Sequence, residues 1–188
     1  MRYKLTHSAS LPMAGEQGLV HHAHCPITLS VQWINGMSYW LVKTEPSECS
    51  IDDFARAPDT PIRWDGVRNF QARNFLMQMS EGDLVLIYHS SCRQIGIAGI
   101  ARVVASAYPD PSQFEPASPY FDARSSSDKP RWQAVDLIFE RRFAQVLSLE
   151  QIKTLAGLEG LPLVQRGSRL SVMPVTPEQW QILLEQAG

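Results

Sequence analysis

The sequence predicts an α+β domain built on a small twisted sheet or partly closed barrel of mixed short strands flanked by short helices. Short aromatic and β-branched runs recur from residue 39 onward, capped helix starts fall between them without a repeating strand-helix-strand rhythm, and no internal repeat is visible. The 188 residues fit one domain, and a composition of 44% hydrophobic and 19% charged residues can bury a core, which excludes whole-chain disorder.

Residues 1–36 stand apart. They hold four of the five histidines (His7, His21, His22 and His24) and show neither alternation nor helical periodicity. Met37 is the expected natural start, with the leader a disordered arm or an over-extended translation start and the domain running over 37–188. His21 to Cys25 has no second ligand cluster at finger spacing, so no metal is expected.

Tyr39 to Lys43 reads as a strand, stopped by Thr44-Glu45-Pro46 because proline pushes its predecessor out of the α region and cannot donate to a ladder. Ser50 with Asp53 caps a helix to about Ala57. Trp64-Asp65-Gly66 reads as a turn, and Asn69 caps a helix to about Met79 with Phe70, Phe75, Leu76 and Met79 near one face. After a turn at Glu81-Gly82-Asp83, the dense apolar run to His89 predicts a central strand covered on both faces. It forms a hairpin with Gln94 to Ser106, where Gly96 and Gly99 mark a bulge or tight bend. Residues 107–130 hold five of the thirteen prolines and predict a long irregular surface segment. Trp132 to Arg142 alternates as a strand, Ser148 with Gln151 caps a helix to about Leu155, Ser168 to Val175 gives a short strand, and Thr176-Pro177-Glu178-Gln179 starts a last helix.

Charge and cysteine usage narrow the function. A formal charge of −2 provides no global positive field for nucleic acid or an anionic membrane, so any nucleic-acid contact must be local. Cys25, Cys49 and Cys92 form no CxxC pair, and a reducing cytoplasm is expected. No apolar run approaches the roughly 18 residues of a membrane span, so no membrane partner is expected. Motifs for a serine nucleophile elbow, a phosphate loop or a zinc protease are missing, and no cofactor is expected. His89, beside Ser90, Ser91 and Cys92, is the lone histidine after the leader; adjacent strand residues point to opposite faces, so their closeness in sequence makes no catalytic pair.

More informative are polar and aromatic residues crowded at strand ends and helix starts: Lys43-Thr44-Glu45-Pro46, Trp64-Asp65-Gly66-Val67-Arg68-Asn69, Tyr88-His89-Ser90 and Ser168-Arg169-Leu170-Ser171-Val172. If they converge, they form a concave site with an aromatic wall, hydrogen-bonding groups and Arg at the rim, suited to a flat heterocycle. The other reading makes Trp64 a core residue.

These segments, with Phe70-Gln71-Ala72-Arg73-Asn74, Gly82-Asp83-Leu84-Val85, Gly96-Ile97-Ala98-Gly99 and Ala107-Tyr108-Pro109-Asp110, resemble the EVE domain family in order over about residues 37–185. The resemblance implies a PUA-like pseudo-barrel related to YTH and PUA modules, acting as a non-enzymatic reader of modified bases. Family members are linked to 5-methylcytosine and its oxidised forms in DNA, and bacterial ones to modified RNA. Carried over, the binding residues are Lys43, Thr44, Glu45, Pro46, Trp64, Val67, Arg68, Asn69, Tyr88, His89, Ser90, Arg169, Ser171 and Val172, with Arg68, Arg73 and Arg169 on flanking phosphates. Phe70 stands where the family often has Tyr, a change of little consequence if its ring packs inward. Three functions stay open: a reader of modified DNA, a binder of modified RNA or nucleosides, and a hydrolase or nuclease using His89.

Overall fold

The computed structural model describes residues 36–188; the expectations for the leader and its histidines fall, Gly36 apart, outside the described residues. The chain folds as β1 (Tyr39–Thr44), α1 (Ile51–Arg56), β2 (Ile62–Trp64), α2 (Phe70–Leu76), β3 (Leu84–His89), β4 (Gly96–Pro109), β5 (Gln133–Ser148), α3 (Leu149–Thr154), β6 (Val172–Val175) and α4 (Pro177–Ala187), with a 3-10 turn at Pro111–Phe114. The six strands form one mixed sheet in the order β2-β5-β4-β3-β1-β6, in which β1 and β3 run parallel and the other pairs antiparallel. This is the predicted α+β class.

Strand alternation sorts the apolar residues onto two faces. Tyr39, Leu41, Leu86 and Tyr88 join Ile152 of α3 and Trp180 and Leu183 of α4 in one core, where Tyr39 stacks on Trp180 at 4.5 Å. Trp40, Val42, Val85 and Ile87 join Phe54 of α1 and Leu76 of α2 in the other. Both faces of the central strands are thus covered, which explains their unbroken apolar sequence. β2 and β6 are the sheet edges, yet Trp64 and Val172 from these edges share the second core. That shared burial curls the sheet without a closing row of hydrogen bonds.

The capping residues act as predicted. Ser50, Ser148 and Thr176 form reciprocal capping boxes with Asp53, Gln151 and Gln179, and Asn69 accepts from Ala72 N. Other boundaries move. Trp64 ends a short strand instead of opening a turn, because pairing with Val135 holds it extended until Gly66, at φ +72°, turns the chain. Helix α2 ends at Leu76, where the next bonds tighten to Gln78 N→Phe75 O and Met79 N→Leu76 O. β5 continues past Arg142 to Ser148, because register shifts between Ile97 and Gly99 bend β4 and let Leu147 pair with Ile97. A Cβ on Gly99 would collide with the Arg141 carbonyl, so the bend requires glycine there. Phe70 is 49% exposed instead of packing inward: its ring stacks on Trp132 at 4.8 Å, with the Arg73 and Arg131 guanidinium groups over it.

Asp83 ties the start of β1 to the turn before β3. Its buried carboxylate accepts from Ser38 N and Trp40 Nε1, both at 2.9 Å, and from Ser80 N at 3.0 Å. Asp83→Ala leaves the buried Trp40 Nε1 without its acceptor, at a cost of about 1–3 kcal/mol, while Ser38 N and Ser80 N belong to exposed residues and can turn to water. Urea unfolding of this variant is expected to show a stability loss of about 1–3 kcal/mol.

Candidate functional site

A cleft of about 680 Å³ lies between the end of β1, strand β2 and the segment near residue 120. Trp64 supplies part of its wall. At 7% exposure the indole is mostly core, and its remaining surface borders the cleft, so both readings of this residue hold at once. Ile62, Val67 and Cys49 add apolar lining, while Thr44, Asp65 and Ser171 add polar groups. Tyr120 stands against Gly66: a Cβ there would lie 2.8 Å from the Tyr120 ring, so glycine permits the approach. The Tyr120 hydroxyl donates to Glu48 Oε1 at 2.9 Å, which fixes the ring over the cleft.

Tyr120 is held in place by a buried network. Asp110, fully buried, accepts from Gly66 N at 3.1 Å, Arg68 Nη1 at 2.7 Å and Ser112 N at 2.7 Å. Arg68 also donates to Ser112 Oγ and, through Nε at 2.7 Å, to the Tyr120 carbonyl. Gln113 staples the segment to β5: its side chain accepts from Arg131 N and Trp132 N and donates to the Asp110 and Trp132 carbonyls. The segment predicted as irregular is therefore pinned by satisfied buried polar groups. Burial pushes the Asp110 carboxyl up, but the bonds from Ser112, Arg68 and Gly66 outweigh it and hold the pKa below the ordinary carboxylate value.

Of the residues singled out from sequence, Lys43, Thr44, Trp64, Val67, Arg68 and Ser171 line this cleft. The others are placed elsewhere. Asn69 caps α2. Ser90 donates to the Thr44 carbonyl through its N, at 2.8 Å, and its Oγ, so it supports a cleft residue from behind. Val172 is wholly buried core. Glu45 serves through its carbonyl, which accepts from Glu48 N and Cys49 N in the β1-α1 turn containing Pro46. Tyr88 packs in the opposite core and borders a second cleft with Lys43. Arg169 is exposed and outside the lining. His89 Nε2 accepts from Ile51 N at 3.1 Å at the start of α1, and burial keeps its pKa below the usual imidazole value, so it is a neutral helix-terminus acceptor. Arg68 was expected on a phosphate, but its guanidinium is committed to Asp110, Ser112 and Tyr120.

Sequence reasoning missed Tyr120, Glu48 and Cys49 as lining residues, and it placed Asp65 in a site-forming segment without giving it a binding role. Burial, and then the charge of Asp110, push the Asp65 carboxyl above the ordinary carboxylate range despite Arg63 and Arg68 nearby. Burial and Asp53 push the Cys49 thiol to about 11, so it presents a neutral, weakly polar wall. Among the described residues no group of three or more His, Cys, Asp or Glu could hold a metal ion.

The six-stranded mixed sheet with its short helices matches a known class of domain. The EVE domain model matches residues 38–186, and the chain belongs to the EVE domain family. Mouse thymocyte nuclear protein 1 is 40% identical over 167 residues, spanning 80% of this chain and 74% of that protein. A Pseudomonas putida protein of solved structure is 56% identical with a TM-score of 0.78, spanning 80% of this chain and all of that one. The human THYN1 protein, solved in complex with 5-methylcytosine containing DNA, is 37% identical with a TM-score of 0.73, spanning 80% and 97% of the two chains.

Arg68→Ala leaves the Asp110 carboxylate buried without its cation, a change that costs about 3–5 kcal/mol in comparable pairs, and urea unfolding is expected to show a loss of that order. Because the folded pKa of Asp110 is depressed, its contribution is present above about pH 4 and is lost as pH falls through the lowered value. The stability lost between neutral and acid pH should therefore be smaller in Asp110→Asn than in the parent protein.

Proposed function

We propose that this protein is a non-enzymatic reader of DNA that holds one modified base, of the methylated or oxidised cytosine class, extruded into the cleft beside Trp64. The observation that carries the reading is a cleft of about 680 Å³ bordered by two aromatic side chains and the Asp65 carboxyl in a family that includes a protein solved with 5-methylcytosine DNA. The placement of His89 as a helix-terminus acceptor removes the main support for a hydrolase.

Stacking on an aromatic ring supplies grip of about 1–3 kcal/mol per base. A buried methyl group adds about 0.8 kcal/mol, for which Ile62, Val67 and the neutral Cys49 thiol offer an apolar surround. Polar matching must then carry most of the selectivity for cytosine. The pairing edge of cytosine offers an amino donor at N4 and an acceptor at N3. A protonated carboxyl complements both, donating to N3 and accepting from N4, and the upward pKa of Asp65 favours that form. Thymine reverses this pattern, so it is refused only where the acid proton is held on the oxygen that faces N3.

Affinity for a 5-methylcytosine duplex is accordingly expected to weaken as pH rises through the elevated Asp65 value, since the bound form keeps a proton that the free carboxyl gives up. Asp65→Asn retains a donor and an acceptor and should bind with a flat pH profile, while Asp65→Ala should lose about tenfold or more. Fluorescence anisotropy against pH reads all three, and an unchanged slope in Asp65→Asn would remove Asp65 from the reading. Trp64→Ala would cost about 3–5 kcal/mol of folding because the indole is largely core. Trp64→Phe is the better probe, expected to fold and to bind the modified base several-fold more weakly. Preference for a modified RNA strand in the same assay would favour RNA as the natural partner.

A further inference from the structure

The base cleft does not end at Lys43. That side chain also borders a second cleft of about 520 Å³, whose charged lining residues are Lys43, Lys153 and Arg166, with no carboxylate among them. Lys153, on α3, and Arg166, in the turn after it, are exposed, and among the described residues neither forms an ion pair. Lys43 is half-buried, with its ammonium 5.9 Å from the centre of the Tyr88 ring. Three cations, none of them in an ion pair among the described residues, surround one concavity, and they stand out in a chain of net charge −2.

A larger cleft of about 770 Å³ near His89 is the other candidate for an anion site. Its three cations, Arg93, Arg142 and Lys153, share the lining with Asp52 and Glu150, and Arg142 is paired with Asp52 at 2.7 Å. Its charge is largely compensated, so the smaller cleft is the stronger anion site.

We propose that the cleft of Lys43, Lys153 and Arg166 binds the backbone phosphate adjoining the captured base. This rests on the base-reading function above. Lys43 is the hinge of the argument: it touches both clefts, so a ligand whose planar group lies beside Trp64 and whose next group is anionic meets positive charge at once. Ammonium groups hold phosphates as point charges, and Arg166 can add a forked contact. The role expected of Arg68 passes to these residues, since Arg68 is spent inside the protein.

The test compares the parent protein with Lys153→Gln/Arg166→Gln, two exposed changes outside both cores, after thermal unfolding confirms unaltered stability. The probes are a 5-methylcytosine duplex, its unmethylated counterpart, 5-methyl-2′-deoxycytidine and its 5′-monophosphate. The double variant is expected to bind the duplex about tenfold more weakly, with a shallower dependence on salt by about one in logarithmic slope. The nucleoside should bind as before, while the added affinity of the monophosphate is lost. An unchanged salt slope overturns the phosphate site even if methyl preference persists. Loss of methyl preference in the parent with the slope change intact sinks the base reading and leaves the phosphate site standing. Parent protein that binds none of the probes overturns both.

Discussion

One buried carboxylate sets the shape of the cleft. Asp110 is wholly removed from water, and isolated there it would be expensive to keep ionised. It is stable because Gly66 N, Arg68 and Ser112 converge on it, and that convergence ties the turn after β2 to the segment that follows β4. The same Arg68 holds the Tyr120 carbonyl, placing an aromatic ring opposite the turn that follows Trp64. Without this ion pair β2 and the long segment would be neighbours with no fixed distance between them. A recognition site for a planar group needs that distance fixed, because stacking and polar matching both fall away within a fraction of an ångström.

The arrangement also separates support from contact. Asn69, Ser90 and His89 are polar residues at element ends, and each satisfies a backbone group: an α2 amide, the Thr44 carbonyl and the Ile51 amide. Their work is to keep β1, α1 and α2 in position. Thr44, Asp65, Val67 and Ser171 line the cleft itself. Trp64 does both, since most of its indole fastens the sheet edge to the second core while a remnant of its surface meets the cleft. Beside that surface, burial and the charge of Asp110 push the Asp65 carboxyl above the ordinary carboxylate range.

A second constraint is the curl of the sheet. Trp64 and Val172 come from opposite edges and are buried together, so the two edges approach without pairing. Glycines at the bends of β4 allow the close strand crossings that this curvature demands. Lys43, at the end of β1, lies on the border between the cleft beside Trp64 and the concavity lined by Lys153 and Arg166.

Local signals in the sequence determined the elements with strong caps, since a Ser or Thr followed three residues later by an acid or glutamine satisfies helix donors wherever the helix lies. Dense apolar runs likewise determined β1, β3 and β4, and the ordered set of motifs identified the family. The sequence could not reveal β2, a three-residue strand that exists only because β5 pairs with it, nor the end of β5, which depends on a bend in its neighbour. Nor could it show that a proline-rich stretch would be pinned by Asp110 and Gln113 and would deliver Tyr120 to the site. Tertiary structure decided these points because each rests on hydrogen bonds between residues tens of positions apart, and such bonds leave no periodicity in the chain for a local reading to find.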